Sequence, residues 1–192
     1  APTTPVDINA QPVQVVVTFA DPGVPDSHTL SVSWDDLTVD TYPVVSPVTL
    51  THTYATPGVY TVTMTVTDDD GGAATWVHEY IVVYDPSAGF VTGGGWITSP
   101  AGAYLADPSL TGRANFGFVS KYKKGATAPT GTTEFLFHAA GMNFHSAAYQ
   151  WLVVAGPQAK FKGDGTINDQ GDYGFMLSAI DGARPGGGGD RQ

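Results

Sequence analysis

Apolar and polar side chains alternate with period two over long stretches of the first half of the chain. Between Tyr60 and Thr67, four apolar residues alternate with four threonines. Successive side chains of a strand point to opposite faces, so this pattern predicts an antiparallel strand with one buried and one wet face. The same reasoning predicts four further strands: Val13–Phe19, Leu30–Trp34, a Pro-interrupted edge strand at Val44–Leu50, and Trp76–Val83.

The second half also contains apolar segments of strand length, here separated by turns that contain glycine. Met142–Tyr149 is expected to form one turn of helix at most, because no long window keeps an amphipathic helical stripe free of Gly and Pro. The chain is therefore predicted to be all-β. Six segments are predicted as strands: Phe90–Trp96, Asn115–Tyr122, Thr133–His138, Tyr149–Val154, Ala159–Ile167 and Tyr173–Ile180.

Charge divides the chain into two parts. Residues 1–86 hold eleven acidic residues and no Lys or Arg, whereas the remainder holds all eight basic residues and seven acidic ones. This step predicts two domains with a border near residue 86. The acidic half disfavours contact with nucleic acid or anionic membrane, and no apolar stretch is long enough to span a membrane. The absence of cysteine excludes disulfides, thiol catalysis and zinc-thiolate sites.

One segment of the acidic half carries a recognisable motif. It reads His52-Thr-Tyr54, then Pro57-Gly-Val-Tyr60-Thr-Val62, then Val66-Thr-Asp68-Asp-Asp-Gly71. These residues closely resemble the PKD (polycystic kidney disease) domain, a small immunoglobulin-like β-sandwich. The resemblance implies a non-catalytic module of cell-surface and secreted proteins in which His52 is structural. Trp34 is predicted to fill the core of this sandwich.

The second half is similar to an uncharacterised module that occurs beside PKD repeats in large bacterial exported proteins. The resemblance lies in Gly93-Gly-Gly-Trp96, the segment 114–122 and Tyr173-Gly-Phe175, and it implies no known activity. Such modules carry more strands after the glycine stretch, so the second domain is expected to be cut short at its C-terminus. The expected organisation is a linker at 1–11, a PKD-like β-sandwich at 12–85, a second antiparallel β-sandwich or barrel at 89–182 and a flexible Gly-rich tail at 183–192.

Three aspartates in the loops of the first domain are candidate metal ligands. Hard cations take oxygen ligands from several loops, and some PKD domains bind Ca²⁺ in this region. The resemblance therefore makes Asp21, Asp26 and Asp68 a possible Ca²⁺ site, with no other cofactor expected. The alternative is that these residues are solvated turn residues, since Asp is favoured in turns.

Four aromatic residues of the second domain are candidate ligand-binding residues: Trp96, Tyr104, Tyr122 and Trp151. Sugars stack on exposed aromatic rings and bond to neighbouring polar side chains, whereas the alternative is that these rings form the core. A glycan-active enzyme would need two carboxylates on a concave face. Glu134 is the sole Glu of this half and has no visible partner, since Asp164, Asp169 and Asp172 are interpreted as turn residues. No catalytic residue is therefore expected.

These features predict a non-catalytic extracellular accessory or adhesion module that mediates protein or carbohydrate interactions at a bacterial surface. The expected partners are proteins or carbohydrates of that surface, without nucleic acid and without direct membrane insertion. A carbohydrate-binding appendage of a secreted hydrolase is the first alternative. A glycan-active enzyme domain that uses Glu134 is the second.

Overall fold

The computed structural model describes residues 2, 4–23 and 26–183. It is all-β, as predicted from the alternation of side chains. The chain divides into two compact units, Ala1–Asp85 and Pro86–Gln192, here called unit 1 and unit 2. Of the tail expected at 183–192, only Ala183 lies within the described residues.

In the residues that the structure describes, unit 1 is built from two sheets that enclose one core. Its larger sheet has the order β1-β7-β6-β3-β4 and its smaller sheet pairs β2 with β5, which is a sandwich arrangement. In β6, Tyr60, Val62 and Met64 are buried, so the predicted strand and its buried face are confirmed. The strands are β1 Val6–Asp7, β2 Val13–Val17, β3 His28–Ser33, β4 Val39–Val44, β5 Val48–His52, β6 Gly58–Asp68 and β7 Ala73–Tyr84.

Trp34 fills the core of unit 1, as predicted from the sequence. Its side chain is fully buried, and its ring stacks on the His52 ring with centroids 4.4 Å apart and planes 7° apart. The indole N–H donates to Asp40 Oδ2 at 2.8 Å, which satisfies its polar group. The His52 ring meets the Tyr54 ring edge to face with centroids 4.6 Å apart, and Tyr54 stacks on Tyr60 with centroids 3.9 Å apart. The motif residues therefore form one aromatic ladder against Trp34.

Two expectations for unit 1 are corrected by the structure. The linker expected at 1–11 contains β1, which pairs in parallel with the end of β7 (Val6 opposite Val83), and Val6 packs against the core. The single strand expected at Val44–Leu50 is two strands in different sheets, because the chain crosses from β4 to β5 between them. The alternation resets at this crossing, where Val45 is 83% exposed.

A β-bulge divides β7 into two parts. Its register with β6 shifts between Tyr60 and Val62, and Tyr80 adopts a left-handed φ of 67°, which is uncommon for a residue other than glycine. Before the bulge, Trp76 and Val77 are about half exposed, whereas the four residues 81–84 are all buried. The two parts of β7 therefore differ in how much of their surface reaches solvent.

The described part of unit 2 forms one six-stranded antiparallel sheet in which every strand pairs with its neighbours in the sequence, in the order β13-β12-β11-β10-β9-β8. All six strands predicted from the sequence are present, but Met142–Tyr149 is the beginning of β11 and not a helical turn. Asp164 and Asp172 likewise lie within strands, whereas Asp169 is in a turn. The strands are β8 Phe90–Ser99, β9 Gly112–Lys121, β10 Thr130–Phe137, β11 Met142–Ala155, β12 Gln158–Ile167 and β13 Gln170–Ile180.

The sheet of unit 2 curls around one of its faces. Phe118 in β9 and Phe161 in β12 are three strands apart, yet their ring centroids are 5.6 Å apart. Strands three apart in a flat sheet are separated by about 14 Å, and their side chains stand nearly perpendicular to it. Phe144 and Phe175 also meet on this side, at 5.2 Å. We call the side that carries these four rings the aromatic face.

Glycines on neighbouring strands make room for these rings. A Cβ atom at Gly93 would lie 2.6 Å from the ring of Phe118, and one at Gly163 would collide with the carbonyl oxygen of Ala148 and the ring of Phe175. Part of the high glycine content of unit 2 is therefore required because rings from neighbouring strands pack against the strand backbone.

The helical content of the described residues consists of two short 3-10 turns, Ile8–Ala10 and His138–Ala140. Neither has the length or the apolar character to cross a bilayer.

Candidate functional site

The three candidate calcium ligands lie at one end of unit 1, where β3 begins and β6 ends. Asp21 Oδ2 is 2.8 Å from His28 Nε2, and Asp21 Oδ1 accepts the Gly23 N–H at 2.8 Å. Asp21, His28 and Asp68 line one cavity of about 230 Å³, and Asp26 lines a separate cleft beside Asp21. The structure therefore brings Asp21 near each of the other two aspartates.

Local hydrogen bonds occupy the carboxylates of this end. The Gly23 N–H and the His28 side chain together lower the pKa of Asp21 below its ordinary value of 3.8, against a smaller opposing effect of burial. Asp68 Oδ1 accepts the Gly72 N–H at 2.7 Å. Within residues 2, 4–23 and 26–183, no three His, Asp or Glu side chains converge in a way that could hold a metal ion. Calcium binding by Asp21, Asp26 and Asp68 stays a hypothesis.

The four candidate aromatic residues of unit 2 do not form one binding face. Trp151 is only 4% exposed, so its expected role as an exposed stacking surface is wrong. Tyr104 is partly buried and packs edge-on against Phe137 at 6.2 Å. The hydroxyl of Tyr122, which is also partly buried, accepts the backbone N–H of Leu152 at 3.1 Å. Tyr104 and Tyr122 therefore contact other residues of unit 2, and Trp151 is buried.

Trp96 differs from the other three because it is 58% exposed. It lies in β8 directly opposite Asn115 of β9, and Asn115 alternates with Phe116 of the aromatic face. Cross-strand partners share a face of the sheet, so Trp96 points to the side opposite the aromatic face. Arg113 lies on that side too, with its guanidinium carbon 4.9 Å from the centroid of the Trp96 ring.

The groups around Trp96 are held in place by the sheet. Arg113 Nε donates to Asn115 Oδ1 at 3.0 Å, which fixes the guanidinium beside the amide. Next along the two strands, Gly94 stands opposite Gly117, and a Cβ atom at Gly117 would meet nothing within 4 Å. The ring, the guanidinium and the amide thus border a flat patch of bare backbone. We use the name Trp96 platform for the set Trp96, Arg113, Asn115, Gly94 and Gly117.

The platform has the groups of a binding surface. The indole ring offers an apolar plane of large area, the guanidinium offers several fixed donors, and the amide offers both a donor and an acceptor. Sugars present an apolar face and a ring of hydroxyl groups, so their chemistry matches this arrangement. Glu134, the candidate catalytic acid, lies in β10 directly opposite Gly117, so it is on the same face of the sheet as the platform. Its Oε1 is 3.5 Å from His145 Nδ1.

Sequence reasoning found Trp96 but missed Arg113 and Asn115. The alternation in β9 places these two residues on the polar side of the strand, and that signal was present in the sequence. What the sequence does not provide is the register that sets Asn115 opposite Trp96. The pairing of a strand with its neighbour depends on tertiary packing.

Comparisons with known proteins identify unit 1 only. Residues 3–83 match the family model described as “PKD domain”. PKD domains are typically non-catalytic immunoglobulin-like modules of extracellular proteins. Comparison with curated proteins and comparison with solved structures each found no match. The resemblance of residues 89–182 to a PKD-associated bacterial module stays a prediction. What the comparisons show is that residues 3–83 are similar to the PKD domain.

Proposed function

We propose that this chain is a non-catalytic accessory or adhesion module of an extracellular protein at a bacterial surface. The observation that carries this proposal is the match of residues 3–83 to the PKD domain, a family whose members generally mediate protein or carbohydrate interactions. The aromatic ladder of Trp34, His52, Tyr54 and Tyr60 supports the same assignment, because the motif residues serve the core of the sandwich. Unit 1 is in this view a scaffold and a spacer.

The ligand that we propose for unit 2 is a carbohydrate bound at the Trp96 platform. Covering about 100 Å² of the exposed ring would contribute roughly 2–3 kcal/mol, and hydrogen bonds to the charged Arg113 would add about 1.5–3 kcal/mol. Millimolar affinity requires about 4 kcal/mol. One platform therefore supports binding of millimolar strength at best, which suits a surface where many copies of a ligand are presented together. This ligand class also fits the alternative of a carbohydrate-binding appendage of a secreted hydrolase.

Binding of the full chain to a glycan array, followed by calorimetry with each bound glycan, tests this proposal. Trp96→Ala is expected to weaken binding at least about tenfold. Arg113→Lys is expected to weaken it less, because a lysine keeps the charge but not the planar fork of donors. Trp76→Ala is the matched control, since Trp76 is similarly exposed (52%) but lies in unit 1.

Three results would contradict the proposal. Unchanged glycan binding by Trp96→Ala would place the site elsewhere, and failure to bind any glycan would remove the carbohydrate assignment. Release of new reducing ends from a bound glycan would show an enzyme, and loss of that release in Glu134→Gln would then assign the acid.

A further inference from the structure

The two sheets of unit 1 differ in width, which leaves part of the larger sheet without a covering strand. β7 has Ala74 opposite Val66 and Trp76 opposite Met64, so all four side chains point toward the core side. Met64 is only 2% exposed, whereas Trp76 is 52% exposed. Among the residues that the structure describes, the smaller sheet contains only β2 and β5. Its two strands do not extend over the β7 column.

An apolar groove of about 420 Å³ follows from this difference. Its walls come from residues 16–19, at the end of β2, and from β6 and β7. Residues of both faces of β2 line it, including Val16, which is 57% exposed, and Val17, which packs against the core. A cavity lined by both faces of a strand runs along the edge of that strand. In the described part of the chain, β2 pairs only with β5, so this edge carries backbone N–H and C=O groups that a further strand could pair with.

One end of the groove is acidic. The groove shares Phe19, Val66 and Ala74 with the cavity that contains Asp21 and Asp68. Residues 1–86 contain no Lys or Arg, so the chain of unit 1 supplies no permanent cation to these carboxylates. A partner that fills the groove meets apolar side chains along most of its length and negative charge at this end.

The rows of the sheet set the spacing that a partner must match. The first row contains Met64 and Trp76, the second Val66 and Ala74, and the third ends with Asp68 opposite His28. Successive rows are two residues apart, or about 6.7 Å along a strand. In a strand that lies along the groove, alternate side chains have the same spacing and therefore face successive rows.

We propose that this groove binds an extended segment of a partner protein that carries two apolar side chains at alternate positions and a Lys or Arg two residues beyond them. The segment adds to the free edge of β2, its apolar side chains cover Trp76 and Val66, and its cation lies between Asp21 and Asp68. Backbone hydrogen bonds along the edge provide affinity, and the row of pockets provides specificity. A second copy of this chain is disfavoured as occupant, because two copies of an acidic unit 1 repel each other. The proposal does not depend on carbohydrate binding by unit 2.

The experiment uses the full chain and two synthetic peptides with blocked ends. Both alternate valine with serine, and they differ only in whether an arginine or a glutamate stands two residues after the last valine. Calorimetry at low salt is expected to show at least about tenfold tighter binding of the arginine peptide. This preference is expected to fall steeply as salt is added, because the charges at the groove end are partly exposed.

Two matched pairs of variants locate the binding. Asp68→Asn keeps an acceptor for the Gly72 N–H but removes the charge, and it is expected to abolish most of the preference for arginine. Asp70→Asn removes one charge from the same loop outside the groove, and it is expected to keep the preference. Trp76→Ala is expected to weaken both peptides several-fold, whereas Trp96→Ala leaves both unchanged.

Several outcomes would overturn the proposal. These are equal affinity for the two peptides, absence of binding by the arginine peptide, and an undiminished preference in Asp68→Asn. A dimer in sedimentation that Trp76→Ala dissociates would replace the partner segment with a second copy. Because Trp96→Ala is the control here and Trp76→Ala is the control for glycans, failure of one proposal is distinguishable from failure of the other.

Discussion

Units 1 and 2 are both all-β, but they fill their interiors in different ways. Unit 1 packs two sheets face to face, and alternating aliphatic residues supply most of the core around the ladder of Trp34 and His52. Unit 2 has one sheet that curls around its aromatic face, where Phe rings pack over glycines such as Gly93 and Gly163. The difference teaches that a glycine can either form a turn or make room for a neighbouring ring within a strand. The sequence pattern alone does not separate these two roles.

The largest effect that separates the two units is expected from Trp34→Ala. Removal of a fully buried Trp leaves a cavity and is expected to lower the free energy of unfolding of unit 1 by about 3–5 kcal/mol. Denaturant titration monitored by circular dichroism measures this change. Unit 2 is expected to keep its own transition in the same variant.

The same measurement tests the proposed division into domains. Residues 1–85 expressed alone are expected to unfold cooperatively and to lose the same stability on Trp34→Ala, and limited proteolysis of the full chain is expected to cut between Tyr84 and Gly89. A loss below about 1 kcal/mol would contradict the role of Trp34. Failure of residues 1–85 to fold would contradict the division.

The second-largest loss of folding stability is expected in unit 2, from Gly163→Ala. The new Cβ atom would collide with the backbone of Ala148 and with the Phe175 ring, and overpacking of this kind costs about 1–3 kcal/mol. Gly117→Ala is the control in the same sheet, because its Cβ atom would enter open space. Equal stability of the two variants would show that the aromatic face is looser than the structure indicates.

A smaller loss of folding stability is expected at acidic pH, and it concerns unit 1. Burial favours a higher pKa for Asp36, but hydrogen bonds from Thr38 and from His52 outweigh it and lower this pKa below 3.8. A lowered pKa means that the folded state holds the carboxylate ionised. The resulting stability is therefore fully present above about pH 4 and is lost as the pH falls through the folded-state pKa.

Asp36→Asn tests this contribution. It is expected to reduce the stability of unit 1 by about 1 kcal/mol at neutral pH and to flatten the loss of stability below pH 4. Asp70→Asn, on an exposed loop, is the control. Identical acid profiles for the wild type and Asp36→Asn would contradict the assignment.

The smallest change in folding stability is expected from the addition of Ca²⁺. Asp21 and Asp68 already accept local hydrogen bonds, so a site built from Asp21, Asp26 and Asp68 would be weak. A millimolar site at an equal concentration of Ca²⁺ adds only about 0.4 kcal/mol of stability. Melting curves in Ca²⁺ and in EDTA are expected to agree within that margin. A larger rise that disappears in Asp68→Asn would show that the three carboxylates rearrange around the cation.

Most strands could be predicted from alternation, because a half-buried strand needs one apolar face whatever its partner is. The exceptions are informative. β1 is only two residues long, and in β4 the core-facing residues Tyr42 and Val44 share their face with Asp40, so neither strand shows a continuous apolar face. The break between β4 and β5 arises because the chain changes sheets there, which is a tertiary event that local pattern does not contain.

The candidate sites were predictable only in part. Trp96 could be named as a residue, but its exposure depends on the face of the sheet that it occupies, and the same is true of the burial of Trp151. To predict the role of Arg113 or the groove beside Trp76, one must know how the strands pair. Residue types were therefore visible in the sequence, whereas the neighbours that turn them into a surface were not.

The order of strands in the two sheets has a consequence for how fast each unit can fold. In unit 2 every strand pairs with the strand before or after it in the chain, so the sheet can grow one hairpin at a time during synthesis. Unit 1 joins Val6 to Val83 and β2 to β5, and these contacts close long loops. Folding slows as contacts become less local, so the larger sheet of unit 1 can be completed only after β7 has left the ribosome.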